Sequence, residues 1–275
     1  MRTPGFALAF LLLALVLGHP AVGDAQLVLY DDFSSGLIDP TKWLGTAADG
    51  GAANPTTEAA RLIKSGRLEL RLNQYGLSTS DSGTSGGQYR LAVSNPAAIT
   101  TLQTAVTVAS AETQACATNA GATVRSRAQV VGGFFNDGSS TGAGDRTGDI
   151  LAGVQKVADA TLGNIIQAFI SRCANAACSS TPNLSVQTFV TTWTPNKGHT
   201  LAVAWDAPNH QFNLSVKPVF GGKTELITLP YTQSDSKPPV VNFKQLAVNN
   251  SAANCNGSQL HAFMDVLFDN VMVNP

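Results

Sequence analysis

The chain has 275 residues, with 17 Lys and Arg against 18 Asp and Glu, and only 13% of its residues are charged. This composition lacks the clustered basic surface that nucleic-acid binding requires, and it lacks the charge of a disordered tail. An apolar content of 44% indicates a folded globular protein.

Residues 1–25 have the features of a signal peptide. Arg2 supplies a positive start, an apolar stretch runs from Phe6 to Leu17, and small residues at 21, 23 and 25 offer cleavage sites. The stretch has roughly twelve residues, whereas a bilayer span needs about 20. We therefore expect an exported protein, secreted or periplasmic, without membrane insertion after cleavage. Because residues 26–275 contain no linker-like segment, we expect them to form one domain.

All four cysteines lie in the mature part, and an even number in an exported chain predicts disulfide bonds. Four residues separate Cys173 from Cys178, and such a connection between extended segments places its flanking residues opposite each other. This pairing leaves Cys116 with Cys255. Zinc binding by the four thiols is the alternative, which the oxidising compartment and the lack of a nearby His disfavour.

Alternation of apolar and polar residues predicts strands along the whole mature chain. It is clearest over 67–73, where leucines occupy every second position. The other predicted strands cover residues 27–33, 89–93, 99–108, 123–135, 149–157, 164–172, 186–190, 200–205, 211–217, 225–230 and 260–273. Only residues 109–114 are a candidate for a helix. Many short strands separated by turns predict a sandwich or jelly roll.

Three segments resemble the concanavalin A-like lectin/glucanase superfamily. Residues 30–43 contain its Asp-Phe pair followed by Asp-x-x-x-Trp, residues 198–216 resemble its late hairpin, and residues 268–273 resemble its closing strand. The resemblance implies an all-β, concanavalin A-like jelly-roll sandwich of two antiparallel sheets. It also implies that strand 99–108 lies antiparallel to strand 260–273, which would bring Cys116 near Cys255. Lectins, hydrolases and lyases share this fold, so the activity stays open.

Carboxylates are the first candidates for catalytic residues. The family 16 hydrolases of this superfamily carry a Glu-x-Asp-x-x-Glu strand motif, but the four Glu of this chain are isolated in sequence. The nearest substitute is Asp265 with Asp269, four apart on the last strand and on one face unless a bulge intervenes. Alternatively, Asp269 belongs to the structural Phe-Asp-Asn ending and Asp265 is a solvated surface residue.

A lyase site is the second possibility. Polysaccharide lyases with this architecture use a Tyr or His base beside Arg and Gln side chains on the concave sheet. This chain has those residue types at Arg67, Arg71, Gln88, Tyr89 and Arg90, with His199, His210 or His261 as partners. The sequence does not show that they converge, and cross-strand charge pairing explains the face formed by Arg67, Glu69 and Arg71 equally well.

We expect no obligatory cofactor, but the sequence also offers oxygen ligands for calcium. Asp137 and Asp145 lie in a Gly-rich loop with further oxygen ligands, and Asp32 could meet Asp269 between the first and last strands. Neither set has the spacing of an EF-hand loop. The alternative is that these residues form turns.

The combined pattern is a superfamily fold without its hydrolase motif. Our hypothesis is therefore a monomeric, non-catalytic exported module that binds a glycan, or another extracellular or envelope ligand, through its concave sheet. Only three tryptophans are present, so no aromatic platform for sugars is predicted. The alternatives are a polysaccharide-active enzyme, either a glycoside hydrolase or a lyase with an unfamiliar site, and a structural envelope protein.

Overall fold

The computed structural model describes residues 26–45 and 56–274, so the predicted signal peptide lies outside the described residues. Fifteen strands are formed within these ranges. They are β1 (Val28–Asp31), β2 (Trp43–Leu44), β3 (Thr57–Lys64), β4 (Arg67–Tyr75), β5 (Thr84–Val93), β6 (Thr101–Thr113), β7 (Arg125–Asn136), β8 (Asp149–Asp159), β9 (Gly163–Arg172), β10 (Asn183–Thr192), β11 (Gly198–Asp206), β12 (Gln211–Pro218), β13 (Glu225–Pro230), β14 (Lys244–Ala253) and β15 (His261–Val273). Short 3-10 turns cover Ala117–Asn119 and Ala207–Asn209.

The strands form two antiparallel sheets. The first sheet has the order β13-β12-β11-β6-β15-β4-β3, and β1 pairs with the end of β15 beyond β4. The second sheet has the order β10-β9-β8-β7-β14-β5-β2. The long crossovers that bring β6 beside β15, and β14 between β5 and β7, produce a jelly-roll sandwich. The predicted fold class is therefore confirmed, as is the antiparallel pairing of the early strand β6 with the last strand.

The core lies between the sheets and follows the alternation seen in the sequence. Leu68, Leu70 and Leu72 of β4 point inward and are fully buried. An aromatic cluster fills one region of this core, where Phe135 of the second sheet stacks on Trp205 of the first sheet with ring centroids 5.5 Å apart. Burial of large apolar side chains contributes roughly 1.5–3 kcal/mol each, so this interior is the main source of stability.

The opening segment of the chain has a structural role. Buried Asp31 accepts hydrogen bonds from the backbone N–H of Phe33 at 2.8 Å and from Nε1 of Trp43 at 2.7 Å. Phe33 stacks on Trp43 and has a φ of 55°. Asp31, Phe33 and Trp43 of the motif segment therefore anchor β1 and β2 to the core.

Several sequence predictions need correction. Residues 109–114 are not helical, because β6 continues through Thr113 and pairs with the start of β15. Strand pairing outweighs the intrinsic preference of this Ala- and Glu-containing segment. The sequence reading also missed β2, β3 and β14.

No helix among residues 26–45 and 56–274 is long and apolar enough to cross a membrane.

Both disulfides join the pairs that the sequence predicts. Cys116 is bonded to Cys255 across 139 residues, with Cα atoms 5.6 Å apart, and Cys173 is bonded to Cys178, with Cα atoms 4.7 Å apart. The long bridge connects the segment after β6 to the segment before β15. It therefore ties together two strands that are neighbours in the first sheet.

We predict that the two disulfides differ in their contribution to stability. Loop-closure entropy gives about 5 kcal/mol for the long bridge and about 2 kcal/mol for the short one. The free energy of unfolding, measured by urea denaturation, should therefore fall further in C116A/C255A than in C173A/C178A. Equal losses, or the reverse order, would contradict this expectation.

Two lysines are buried inside the sandwich without a carboxylate partner among the described residues. Nζ of Lys156 donates to the carbonyl oxygens of Val106 at 2.8 Å and Lys197 at 3.0 Å. Nζ of Lys244 donates to the Gly133 carbonyl oxygen at 2.7 Å and lies 4.4 Å from the centre of the Phe134 ring. Burial lowers the pKa of each lysine to about 7.

These lysines predict that stability rises with pH above neutrality. Between pH 7 and the ordinary lysine pKa, the unfolded chain binds protons that the folded chain does not, so the free energy of unfolding increases with pH. We expect K156M to reduce this increase between pH 7 and 9.5 by about 1–3 kcal/mol. The measurement is urea denaturation at both pH values, with the exposed Lys223 as the control in K223M. An unchanged slope in K156M would contradict the assignment.

Candidate functional site

The outer face of the second sheet carries a groove with a volume of about 580 Å³. Six strands line it, from β5 across β14, β7, β8 and β9 to β10, together with the loops around Arg146, Ser179 and Phe243. We call this feature the groove. Amides and guanidinium groups dominate its lining, namely Gln88, Gln129, Gln155, Gln167, Gln245, Asn183, Asn249, Arg90, Arg125, Arg127 and Arg146.

A row of glutamines forms the floor of the groove. Gln129, Gln155 and Gln167 lie directly opposite one another on β7, β8 and β9. Nε2 of Gln129 donates to Oε1 of Gln155 at 2.8 Å, and Nε2 of Gln155 donates to Oε1 of Gln167 at 3.2 Å. The row ends at the hydroxyl of Thr188 on β10, 3.4 Å from Nε2 of Gln167. These bonds fix the orientation of the amides, so the floor is preorganised.

The strand pattern explains why this row faces outward. On β7, the inward positions Ala128 and Val130 belong to the core and flank Gln129. Adjacent residues of a strand point to opposite faces, so Gln129 must point into the groove. The matching strand register repeats this arrangement on β8 and β9.

The arginines give the groove an excess of positive charge. Arg125 pairs with Asp159 at 2.5 Å, and Arg146 pairs more loosely with Asp149 at 3.5 Å. The guanidinium of Arg127 donates through Nη2 to the amide oxygen of Asn249 at 3.2 Å, which leaves its charge uncompensated. Arg90 has no ion pair within residues 26–45 and 56–274, and no carboxylate is among the residues that line the groove.

Two polar atoms in the groove are buried without a hydrogen-bond partner. They are Nε of Arg127 and Oε1 of Gln245, two of seven such atoms in the part of the chain that the structure describes. An unpaired buried polar atom costs about 1–3 kcal/mol. One donor and one acceptor therefore remain for a ligand in this groove.

A second cavity of about 360 Å³ continues the groove beyond the arginines. Arg125 and Arg127 line both cavities, and Thr84, Asn119 and Ser251 are among the other lining residues of the second one. The arginine pair therefore lies at the junction of two cavities. The arrangement fits an extended ligand better than a compact one.

The short disulfide shapes the opposite rim. Cys178, Ser179 and Thr181 line the groove, and the backbone N–H of Arg146 donates to the carbonyl oxygen of Ala176 at 3.1 Å. The disulfide loop thereby holds the loop that carries Arg146.

The candidate lyase residues do not lie together in the structure. Gln88 and Arg90 line the groove, whereas Tyr89 points into the core. Arg67 and Arg71 lie on β4 of the first sheet. The three histidines that were named as partners also lie away from the groove. His199 is buried in the interior beside Lys156, while His210 and His261 lie near Asp235 and Glu112 of the first-sheet side.

Asp265 lies on the outer face of the first sheet, on the opposite side of the sandwich from the groove. It contacts Glu69 and lies 3.1 Å from Nη2 of Arg71. Burial, and then the neighbouring Glu69 carboxylate, raises the pKa of Asp265. Burial opposes ionisation of Glu69 as well, but hydrogen bonds with Asp265 and Arg71 lower the pKa of Glu69 below its usual value. The two carboxyl groups therefore ionise unequally.

Asp269 lies further along β15, separated from Asp265 by a bulge in the pairing with β6. Burial raises its pKa, and the nearby Asp32 adds to this effect. Asp32 thus acts on Asp269 electrostatically, and the calcium site suggested for this pair stays a prediction. Asp32 already accepts hydrogen bonds from the backbone N–H and hydroxyl of Ser34.

The other two calcium candidates serve the loop in which they lie. Asp145 accepts hydrogen bonds from the backbone and hydroxyl groups of Thr141 and Thr147, and these bonds lower its pKa strongly. Asp137 pairs with Arg172 at 2.6 Å. Within the described ranges, the only group of three close carboxylate, thiol or imidazole ligands is Asp81 with Cys116 and Cys255, whose sulfurs are joined in the disulfide.

No protein-family model matches this sequence, and no curated protein sequence matches it. Its structure is similar to three solved structures at low sequence identity. Lectin II from Ulex europaeus has 11% identity and a TM-score of 0.40, with 89% of this chain and 97% of the lectin covered. Winged bean acidic lectin complexed with methyl-α-D-galactose has 11% identity and a TM-score of 0.43, with 90% and 98% covered. Alginate lyase Aly36B has 11% identity and a TM-score of 0.41, with 90% and 96% covered.

We predict that D265N stabilises the protein at neutral pH. Because the pKa of Asp265 is raised, the stability that its protonated form provides is lost as pH rises above that pKa. The amide stays neutral, so the free energy of unfolding at pH 7 should be higher than in the native protein, and this gain should shrink at acidic pH. Loss of the pairing with half-exposed Arg71 costs little.

The matched control is Asp206, whose carboxylate accepts hydrogen bonds from Asn209 and Gln211 that lower its pKa. D206N should therefore destabilise the protein at pH 7, opposite in sign to D265N. Urea denaturation at pH 7 and pH 4 measures both variants. A destabilised D265N at pH 7 would show that Asp265 acts as an ordinary ionised surface carboxylate.

Proposed function

We propose that this protein is an exported module that binds a glycan chain in the groove without cleaving it. The observation that carries the proposal is the groove lining, where five glutamines, two asparagines and four arginines come together on one sheet face. Sugar hydroxyl groups both donate and accept hydrogen bonds. Amide side chains offer both functions as well, and those of the floor are fixed in orientation.

The unpaired acceptor Oε1 of Gln245 supports binding of a hydroxylated ligand. It is buried in the groove wall, where a ligand hydroxyl would satisfy it. The aromatic residues Phe169 and Phe243 also line the groove and offer apolar surface to a sugar ring. Trp43 and Trp193 are buried in the core, so binding would depend on polar contacts more than on tryptophan stacking.

The composition of the lining also supports binding over catalysis. General acid or base catalysis needs a group such as Asp, Glu, His, Lys or Tyr within reach of the reacting bond. None of these residue types is among the residues of the described chain that line the groove. Export and a monomeric state belong to the same proposal, and comparing binding with and without calcium tests whether calcium takes part.

The test is a glycan array on the mature protein, with calcium and with EDTA, followed by assays for new reducing ends and unsaturated uronate absorbance. We expect binding without turnover. In Q155L, which breaks the glutamine row, affinity for the strongest ligand should fall at least about 10-fold, because buried amides lose their partners.

The matched control removes a similar polar pair from the first sheet, where Oγ1 of Thr228 donates to Oδ1 of Asn213 at 2.9 Å. T228V should bind like the native protein. Turnover of any polysaccharide would overturn the non-catalytic part of the proposal. The absence of glycan binding, or equal losses in Q155L and T228V, would overturn the assignment to the groove.

A further inference from the structure

The junction between the two cavities is positively charged. Arg125 and Arg127 are two residues apart on β7 and therefore point to the same side, into both cavities. Only Arg125 has a carboxylate partner there, which is Asp159. The junction thus carries at least one uncompensated positive charge, although the whole chain has a net charge of −1.

Arg127 is bound on one side only. Nη2 donates to Asn249 on the neighbouring strand β14, while Nε is buried and has no partner. Burial, and then repulsion from Arg125, lowers the pKa of Arg127 to about 10, so the side chain still carries its charge at neutral pH. An anion placed at the junction would satisfy Nε and offset the repulsion between the two guanidinium groups.

Arg90 extends this positive region across the sheet. It lies on β5 directly opposite Ala247 of β14, which in turn lies opposite Gln129 of β7. Because Ala247 has no side chain beyond Cβ, nothing on β14 at this level separates Arg90 from the floor of the groove. The second uncompensated guanidinium therefore borders the same space as Arg127.

We infer that the groove binds an internal segment of an anionic polysaccharide, with a carboxylate or sulfate group of the chain held at Arg127 between the two cavities. This inference rests on the proposed function and adds the ligand class and the binding mode. Carboxylate and sulfate share the oxygen acceptors that a guanidinium recognises, often through two parallel hydrogen bonds. The two cavities on either side of Arg127 accommodate the sugar units that precede and follow the charged one.

The first experiment compares polymers that differ only in charge. Equilibrium binding of the mature protein is measured with polygalacturonate and its methyl ester, and with dextran sulfate and dextran. We expect at least one charged polymer to bind and its neutral counterpart to bind at least about 10-fold more weakly, since a charge-assisted hydrogen bond contributes more than a neutral one. Which charged polymer binds distinguishes carboxylate from sulfate.

The second experiment tests Arg127 itself against a variant with the same change in net charge. R127M should weaken binding of the charged polymer at least about 10-fold. R67M removes a positive charge from β4 of the first sheet and should change affinity less than about 2-fold, because solvent and salt screen distant charges. R127K should fall between the native protein and R127M, since lysine keeps a hydrogen-bond donor but lacks the planar pair of donors. If circular dichroism shows that R127M does not fold, the affinity of R127K still tests the role of Arg127.

The outcomes separate this inference from the proposed function. If neutral polymers bind as tightly as charged ones and R127M binds normally, the glycan-binding proposal stands and the anionic site is wrong. If R67M loses as much affinity as R127M, binding follows the overall charge and the assigned site is wrong. If polyphosphate binds as tightly as the polysaccharides, the groove recognises anions without recognising sugars, and the inference fails. If none of the polysaccharides binds, both proposals fail.

The binding mode has a separate readout. Oligosaccharides of the charged polymer should gain affinity with length until both cavities are filled, and chemical reduction of their ends should change affinity less than about 2-fold. Tight binding of a single charged sugar, or dependence on a free chain end, would overturn the internal binding mode.

Discussion

The groove depends on one constraint, which is that the side chains of the central strands of the second sheet are buried on both faces. Their inward side chains form the core, and their outward side chains are so close together that Gln129, Gln155 and Gln167 are nearly inaccessible to solvent. Such amides are stable only when each finds a partner. The register of β7, β8 and β9 supplies these partners, so a row of hydrogen bonds replaces the hydration that the amides lose. The row keeps the groove polar and rigid at the same time.

The same constraint explains where charge is tolerated. Inside the sandwich, Lys156 donates to two carbonyl oxygens and Lys244 to one, and the pKa values of both lysines are lowered to about 7 because burial disfavours the charged form. Arg127 in the groove stays protonated at neutral pH because the guanidinium group starts from a much higher pKa. An arginine can therefore be left without a counter-ion at a partly buried site where a lysine would lose its proton. This difference makes arginine the suitable residue for a site that must keep its positive charge before an anionic ligand binds.

The strands followed from the sequence where apolar residues alternate with polar ones, as in β4, or form nearly continuous runs, as in β7 and β8. The leucines of β4 alternate with polar residues, so this strand was predicted correctly, whereas its neighbour β3 lacks such a pattern and was missed. Strand β14 was missed because it is buried on both faces and contains Lys244 and Asn250, which interrupt any alternation. The groove could not be predicted either, because its glutamines lie on separate strands and meet only through the register. On β7, β8 and β9 each glutamine stands beside buried apolar residues, and this was the one available signal.

The sequence resemblance directed attention to acidic residues, yet the structure separates these from the groove. Asp265 and Asp269 lie on the first sheet, Asp145 accepts hydrogen bonds within its own loop, and Asp137 pairs with Arg172 at the end of β9. Asp149 and Asp159 do not line the groove themselves, but they pair with Arg146 and Arg125, which do. Since the acids are used to position cations, the groove presents donors to its ligand and keeps its own anions away from it. An anionic chain would meet little repulsion there, whereas a cationic ligand would find no carboxylate among the described lining residues.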